Sequence, residues 1–104
     1  PKLTRHTAMV LYAVSRGVRH GFDIIDATGL PSGTVYPILR RLEEGGLLRS
    51  DWEAVRIARE EQRPPRRYYQ VTGPGTAFAR EALERFPDIS TELAGVPALK
   101  PRRA

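Results

Sequence analysis

The chain has 104 residues, enough for one small domain, and its 17 Lys and Arg residues exceed 12 acidic residues to give a formal net charge of +5. Cysteine is absent, which excludes disulfide bonds and cysteine-based zinc sites. No stretch is apolar enough to span a bilayer and no signal-peptide pattern is visible, so we expect a cytoplasmic protein. The charge favours a polyanionic partner, although a GC-rich genome also enriches arginine.

The first third of the chain predicts two helices. The first covers residues 4–16, where apolar residues recur at helical spacing, with Thr4 or Thr7 as the candidate N-cap and Gly17 as the stop. The second is short and covers residues 22–28. Two helices separated by a tight turn are typical of the start of a helical DNA-binding domain.

A third helix is predicted over residues 33–44, with Ser32 as its N-cap. Its apolar residues fall at i, i+3, i+4 and i+7 and define one buried face: Val35, Ile38, Leu39 and Leu42. Pro37 lacks an N–H group, so we expect a distorted first turn there rather than a break. Gly45 or Gly46 supplies a left-handed C-cap.

Two strands are predicted after the third helix, at residues 47–55 and 66–72. The charged residues 56–65 between them predict a mobile loop. Thr72 is the candidate cap of a fourth helix, which Pro87 stops. The fold class that follows is mainly α with a small β-hairpin, a winged helix-turn-helix.

We expect one DNA-binding domain over residues 1–86 and a partly disordered tail over residues 87–104. In a helix-turn-helix the second helix of the motif reaches the base edges, and its first amides can bind a phosphate. The candidate DNA-binding residues lie on the third helix and in the wing: Ser32, Gly33, Thr34, Tyr36, Pro37, Arg40, Arg41, Arg66 and Arg67. For Arg40 and Arg41 alone, an ordinary solvated helix face is an equal alternative.

The wing contains several arginines, of which Arg66 and Arg67 lie closest to a strand. Phosphate contacts are one interpretation of this cluster. A solubilising loop that touches nothing is the other, and the neighbouring Glu60 and Glu61 favour it for the middle of the loop.

Three aromatic residues of the ribbon, Trp52, Tyr68 and Tyr69, most simply form core between the ribbon and the helices. The alternative is a pocket for a small aromatic effector. His20 precedes Gly21 in a turn, where a capping or hydrogen-bonding role is expected. No catalytic motif, phosphate loop or metal-ligand spacing is present, so we expect neither an enzyme nor a cofactor.

Four segments together resemble the PadR family of bacterial transcriptional regulators. Residues 20–24, His-Gly-Phe-Asp-Ile, look like the family's His-Gly-Tyr-Glu-Ile, and residues 32–43 look like its recognition-helix signature. Residues 46–48 enter the wing and residues 66–72 leave it as in the family. The resemblance covers residues 10–86.

The resemblance implies a homodimer that represses nearby genes from a pseudo-palindromic operator and releases DNA when a small molecule binds. The chain departs from the family at Phe22, where tyrosine is usual, and at residues 73–75, Gly-Pro-Gly instead of Pro-Glu-Gly. It also lacks the long C-terminal helical domain, so dimerisation would fall on the first and fourth helices, with the tail as a further candidate. A winged-helix protein-interaction module without specific DNA binding is the alternative function.

Overall fold

The computed structural model describes residues 2–93; the end of the predicted tail, residues 94–104, lies outside them. Six helices and two strands form within the described residues. In chain order they are α1 (Arg5–Ser15), α2 (Gly21–Thr28), α3 (Ser32–Glu44), β1 (Leu48–Trp52), α4 (Val55–Glu60), β2 (Arg67–Val71), α5 (Gly73–Arg85) and α6 (Asp88–Glu92). The arrangement is mainly helical with one antiparallel hairpin, as the sequence predicted.

The hairpin β1–β2 forms the wing, and its register runs from Leu48 opposite Val71 to Trp52 opposite Arg67. Both strands lie within the predicted ranges but are shorter. The wing is tied to the chain between α1 and α2, because the Tyr69 amide donates to the Arg19 carbonyl at 2.8 Å. This bond fixes the wing beside the helix-turn-helix.

Helix α1 is the central element, since it packs against α2, α3, β2, α5 and α6. The apolar stripe predicted on α3 is confirmed. All four of its residues are buried in the main core beside α1: Val35, Ile38, Leu39 and Leu42. The opposite face of α3 is consequently free of core packing.

A second cluster lies where α6 packs on α1, a helix that the sequence analysis did not predict. Ile89 is fully buried there, beside Ala8, Met9 and Ala82. Arg5 adds ion pairs to Asp88, at 2.8 Å, and to Glu92. Residues 88–92, which lie in the predicted tail, therefore form a helix that packs against α1.

The helix caps agree with prediction except at α3. Thr4 and Thr72 are the N-caps of α1 and α5, and each side-chain oxygen accepts from the amide three residues ahead. The Ser32 cap was wrong, because α3 starts one residue earlier with Pro31 as its extended N-cap. The left-handed residue after α3 is Gly46, at φ 76°, rather than Gly45.

Helix α3 continues through Pro37 from Ser32 to Glu44. In its first turn the Pro31 carbonyl accepts from two amides, Thr34 at 2.9 Å and Val35 at 3.0 Å. The proline therefore removes one ladder bond without breaking the helix.

The predicted loop over residues 56–65 is wrong in part, because α4 forms within it. Ala58 of α4 is buried and its carbonyl accepts from the Arg63 amide at 3.1 Å. The loop prediction missed an ion pair between Glu53 and Arg63, whose closest atoms lie 2.6 Å apart and which joins the two ends of the segment.

Candidate nucleic-acid interface

The outer face of α3 carries the predicted DNA-binding residues and is open to solvent. Ser32, Gly33, Arg40 and Arg41 are exposed, and Thr34 and Pro37 are half-buried. Tyr36 has 42% of its surface exposed. The structure thus places these seven residues along one helix whose opposite side is anchored in the core.

Arg40 and Arg41 have no hydrogen-bond or ion-pair partner among residues 2–93. Within the described chain their guanidinium groups therefore make no polar contact, and both lie on the exposed side of α3. A planar guanidinium can bind a phosphate or the edge of a guanine in two-point geometry.

Tyr36 connects α3 to the start of α2. Its ring lies so close to Gly21 that a Cβ added at that glycine would collide with the ring and hydroxyl. The next residue, Phe22, is 73% exposed beside it. Phe22 thus extends the exposed surface of α3, while the buried Gly21 leaves room for the Tyr36 ring. Both residues belong to segment 20–24, which the sequence analysis singled out.

Arg67 is already engaged by three neighbours. Its Nε donates to the Ser50 hydroxyl at 2.8 Å, its Nη2 lies 3.4 Å from the Glu43 carboxylate, and its guanidinium lies 5.4 Å from the Trp52 ring centre. Ser50 in turn donates to Glu43 at 2.6 Å. Arg67 therefore joins β2 to the end of α3, whereas the half-buried Arg66 side chain has no such partner in the described part of the chain.

Glu53 is a structural residue of the wing that the sequence analysis did not single out. Its side chain is 3% exposed and accepts from Arg63 at 2.6 and 2.9 Å, from the Arg66 amide at 3.3 Å and from the Tyr68 hydroxyl at 3.3 Å. The Arg63 hydrogen bond is the main cause that lowers the pKa of Glu53 to about 2, against the opposing effect of burial. The same pairing raises the pKa of Arg63.

The three ribbon aromatics have different surroundings. Tyr69 is buried in the core, as expected, and burial raises the pKa of its hydroxyl. Tyr68 meets His20 edge to face, with ring centres 5.7 Å apart. Trp52 is 65% exposed, so the core interpretation was wrong for it.

His20 occupies the N-cap position of α2 without a side-chain cap bond. Its Nε2 lies 3.0 Å from the Asp23 carboxylate. The hydrogen-bonding role expected for His20 therefore fits the geometry better than the capping role.

A cleft of about 430 Å³ opens between α2, α3 and the wing. We call it the wing cleft and define it by six of its lining residues: Phe22, Tyr36, Trp52, Pro64, Pro65 and Arg66. Of the predicted aromatic trio, Trp52 and Tyr69 border this cleft and Tyr68 does not. The cleft shares Tyr36 with the outer face of α3.

Residues 2–93 gather no three His, Asp or Glu side chains in a metal-binding arrangement. In the same part of the chain, every helix is too short or too polar to cross a bilayer.

Comparison with known proteins identifies the family. The model of the transcriptional regulator PadR-like family matches residues 10–81. No curated protein matches the sequence significantly. A PadR-like transcription factor of Bacteroides fragilis is 26% identical with a TM-score of 0.63, over 86% of this chain and 87% of its own.

Two further solved structures are similar in fold. A PadR family regulator of Clostridium difficile is 20% identical with a TM-score of 0.64, over 88% of this chain and 100% of its own. BpsR of Bordetella bronchiseptica is 24% identical with a TM-score of 0.67, over 96% of this chain and 70% of its own. The DNA binding of BpsR is regulated by 6-hydroxynicotinic acid. With the family model spanning more than half of the sequence, the chain belongs to the PadR-like family of transcriptional regulators.

Proposed function

We propose that the chain represses transcription in the cytoplasm by binding a pseudo-palindromic operator as a homodimer, with α3 in the major groove and the wing beside it. The observation that carries the proposal is the contrast between the two sides of α3. Its apolar side is buried, while Tyr36, Arg40 and Arg41 on the other side are exposed and the two arginines are unpaired within residues 2–93. A positively charged chain makes this face attractive to DNA.

Each predicted residue has a distinct role in the proposal. Ser32, Gly33 and Thr34 offer the free amides of the first turn to a phosphate. Tyr36 and Pro37 pack against sugar or a thymine methyl, and Arg40 and Arg41 bind phosphate or guanine. In the wing, Arg66 binds a phosphate directly. Arg67 can bind a phosphate only after its ion pair with Glu43 breaks.

We propose dimer contacts through α1 and α5, the first and fourth of the predicted helices; α1 is largely buried within the described chain, so α5 would contribute most of the contact. A two-fold dimer would place its α3 helices in half-sites about one DNA turn, or roughly 34 Å, apart. Sedimentation velocity checks whether the chain dimerises, because a monomer at the concentration that saturates DNA would contradict the proposal.

The response of BpsR to 6-hydroxynicotinic acid supports a further part of the proposal. We propose that a small molecule also regulates this chain, by releasing it from DNA.

The test is a fluorescence anisotropy titration on duplexes selected from a random pool. The double variant Arg40→Ala/Arg41→Ala should bind more weakly, by about 1–3 kcal/mol for each arginine that reads a base. Arg16→Ala/Arg59→Ala is the matched control, since it removes the same charge from exposed arginines that lie on neither α3 nor the two helices assigned to the dimer. Equal affinities for the two double variants would contradict the proposal.

Salt dependence separates the two candidate functions. Binding through phosphates must weaken steeply as salt rises, because each contact releases counterions. A response that is flat with salt would favour the protein-interaction module instead.

A further inference from the structure

The described chain ends beside the turn that joins α2 to α3. Leu93, the last described residue, is 6% exposed and belongs to the second apolar cluster. Leu30 of the turn packs against the same cluster, and Ala27 of α2 borders one small cavity together with Leu93. Residues 94–104 therefore continue from a point near the N-terminal end of α3, whereas the wing follows its C-terminal end.

Most of the net positive charge of the chain lies beyond that point. Residues 94–104 contain Lys100, Arg102 and Arg103 and no acidic residue, so they supply three of the five net charges. The remaining chain has 14 basic against 12 acidic residues, a net charge of +2. The attraction to a polyanion is thus concentrated in residues 100–103, Lys-Pro-Arg-Arg, which we call the basic segment.

The turn side of the proposed DNA interface has no cation of its own. Residues 20–39, which form α2, the turn and the first part of α3, contain no lysine or arginine. They contain two aspartates, Asp23 and Asp26, and Asp26 is exposed. The cations of the interface begin at Arg40 and continue into the wing, so they serve only one side of the α3 site. Phosphates on the other side would meet no full positive charge of residues 20–39.

The basic segment begins within reach of these phosphates. From Leu93 to Lys100 the chain advances seven residues, which span at most about 25 Å. Helix α3 has 13 residues and is about 20 Å long. Because the segment starts from the turn and its reach exceeds the length of α3, DNA beside the N-terminal end of α3 is accessible to it.

We propose that Lys100, Arg102 and Arg103 bind DNA phosphates on the side of the α3 site that faces away from the wing. Basic arms add contacts outside the major groove in the same manner in homeodomains. Each contact neutralises a phosphate and releases counterions, while α3 retains the reading of bases. The inference rests on the proposed DNA binding and adds a second set of contacts to it.

The salt dependence of DNA binding measures these contacts. The triple variant Lys100→Gln/Arg102→Gln/Arg103→Gln should lower the slope of log affinity against log salt by about 2.7, because each phosphate contact contributes about 0.9. Wild type should consequently lose about 40-fold more affinity than this variant between about 50 and 200 mM salt. An unchanged slope would overturn the proposal.

The matched control removes the same residue types elsewhere. Lys2, Arg16 and Arg59 are exposed, and their side chains have no partner within residues 2–93. Lys2→Gln/Arg16→Gln/Arg59→Gln lowers the net charge by the same amount, and its slope should stay within about one phosphate contact of wild type. Equal loss of slope in the two triple variants would indicate attraction by overall charge and overturn the assignment to the basic segment.

A tethered probe tests which side of α3 the basic segment occupies. The chain contains no cysteine, so Ala104→Cys gives a single attachment point for an iron chelate next to Arg103. Ala54→Cys, at an exposed position of the wing, gives the comparison. With peroxide and ascorbate, the two chelates should cut the DNA backbone on opposite sides of the α3 site. Cutting at the same positions, or no cutting from Ala104→Cys, would overturn the proposal.

Other occupants of the basic segment give different results. The triple variant of the segment should sediment and unfold thermally like wild type. A smaller sedimenting species would show that the segment completes a dimer contact instead. A lower melting temperature would show that it pairs with acidic side chains of the same chain, of which Glu81 and Glu84 on α5 are exposed. Either result would overturn the proposal.

Failure of this inference can be distinguished from failure of the proposed function. If wild type binds no duplex at low salt, the proposed function is wrong and the inference falls with it. If Arg40→Ala/Arg41→Ala weakens binding while the triple variant of the basic segment keeps the wild-type slope, the proposed function stands and the inference alone is wrong.

Discussion

The carboxylate of Glu43 and the guanidinium of Arg67 lie 3.4 Å apart and join the last turn of α3 to the second strand of the wing. Ser50 bonds to both side chains and completes the connection. The pair decides how far Arg67 is available to DNA, because a phosphate must displace Glu43 to reach it.

We therefore expect Glu43→Gln to strengthen DNA binding and to steepen its salt dependence by about one phosphate contact. The reason is that glutamine releases Arg67 without removing a hydrogen-bonding group. Anisotropy titrations across a range of salt concentrations measure both quantities.

Glu44→Gln is the control for this prediction. Glu44 is adjacent, exposed and unpaired within residues 2–93, so its substitution removes the same charge without freeing an arginine. If the two variants have the same salt dependence, Arg67 does not bind a phosphate.

Gly75 lies where α5 begins against the entry to the wing. A Cβ at this position would collide with the Leu47 carbonyl and the Val71 side chain. We expect Gly75→Ala to lower the free energy of unfolding by about 1–3 kcal/mol, as overpacking does. Urea denaturation of Gly73→Ala provides the comparison, because its Cβ would meet nothing within 4 Å and alanine should be neutral or slightly stabilising.

The lowered pKa of Glu53 makes part of the stability depend on pH. The ion pair with Arg63 stabilises the charged carboxylate in the folded chain, where its pKa is about 2 against an ordinary 4.5. The contribution of Glu53 to the free energy of unfolding is therefore complete above pH 4.5 and is lost as the pH falls towards 2. Urea denaturation between pH 6 and pH 2 should show wild type losing its advantage over Glu53→Gln across that window. A difference that stays constant with pH would be incompatible with the Arg63 pair.

Ile89 tests whether α6 contributes to the fold. Its side chain is fully buried against α1, so Ile89→Ala should cost about 2–5 kcal/mol of unfolding free energy. Thr91→Ala, on the exposed side of the same helix, should change it by no more than about 0.5 kcal/mol. Equal thermal stability of the two variants would show that α6 does not hold α1 in solution.

The sequence predicted the elements whose signals are local. The stripe that ends at Leu42 repeats with the helical period, and the caps Thr4 and Thr72 act on amides three residues away. The exposed face of α3 followed directly, because a helix with one buried stripe presents the other side to solvent. Whether that face binds DNA stays a prediction.

The elements that the sequence did not predict depend on distant partners. Glu53 and Arg63 are ten residues apart, and their ion pair spans the segment that contains α4. In the same way, α6 needs Arg5 and the apolar side of α1, more than 80 residues away. The exposure of Trp52 could not be inferred either, because aromatic residues in a ribbon are usually covered.

The central position of α1 also has a consequence for synthesis of the chain. Its apolar residues Ala8 and Met9 are covered by Ala82 and Ile89, which leave the ribosome near the end of the described chain. Until then this side of the helix faces water and is open to chaperones or to other nascent chains. Folding to the final topology is therefore expected to follow translation of the second half of the chain rather than accompany the first.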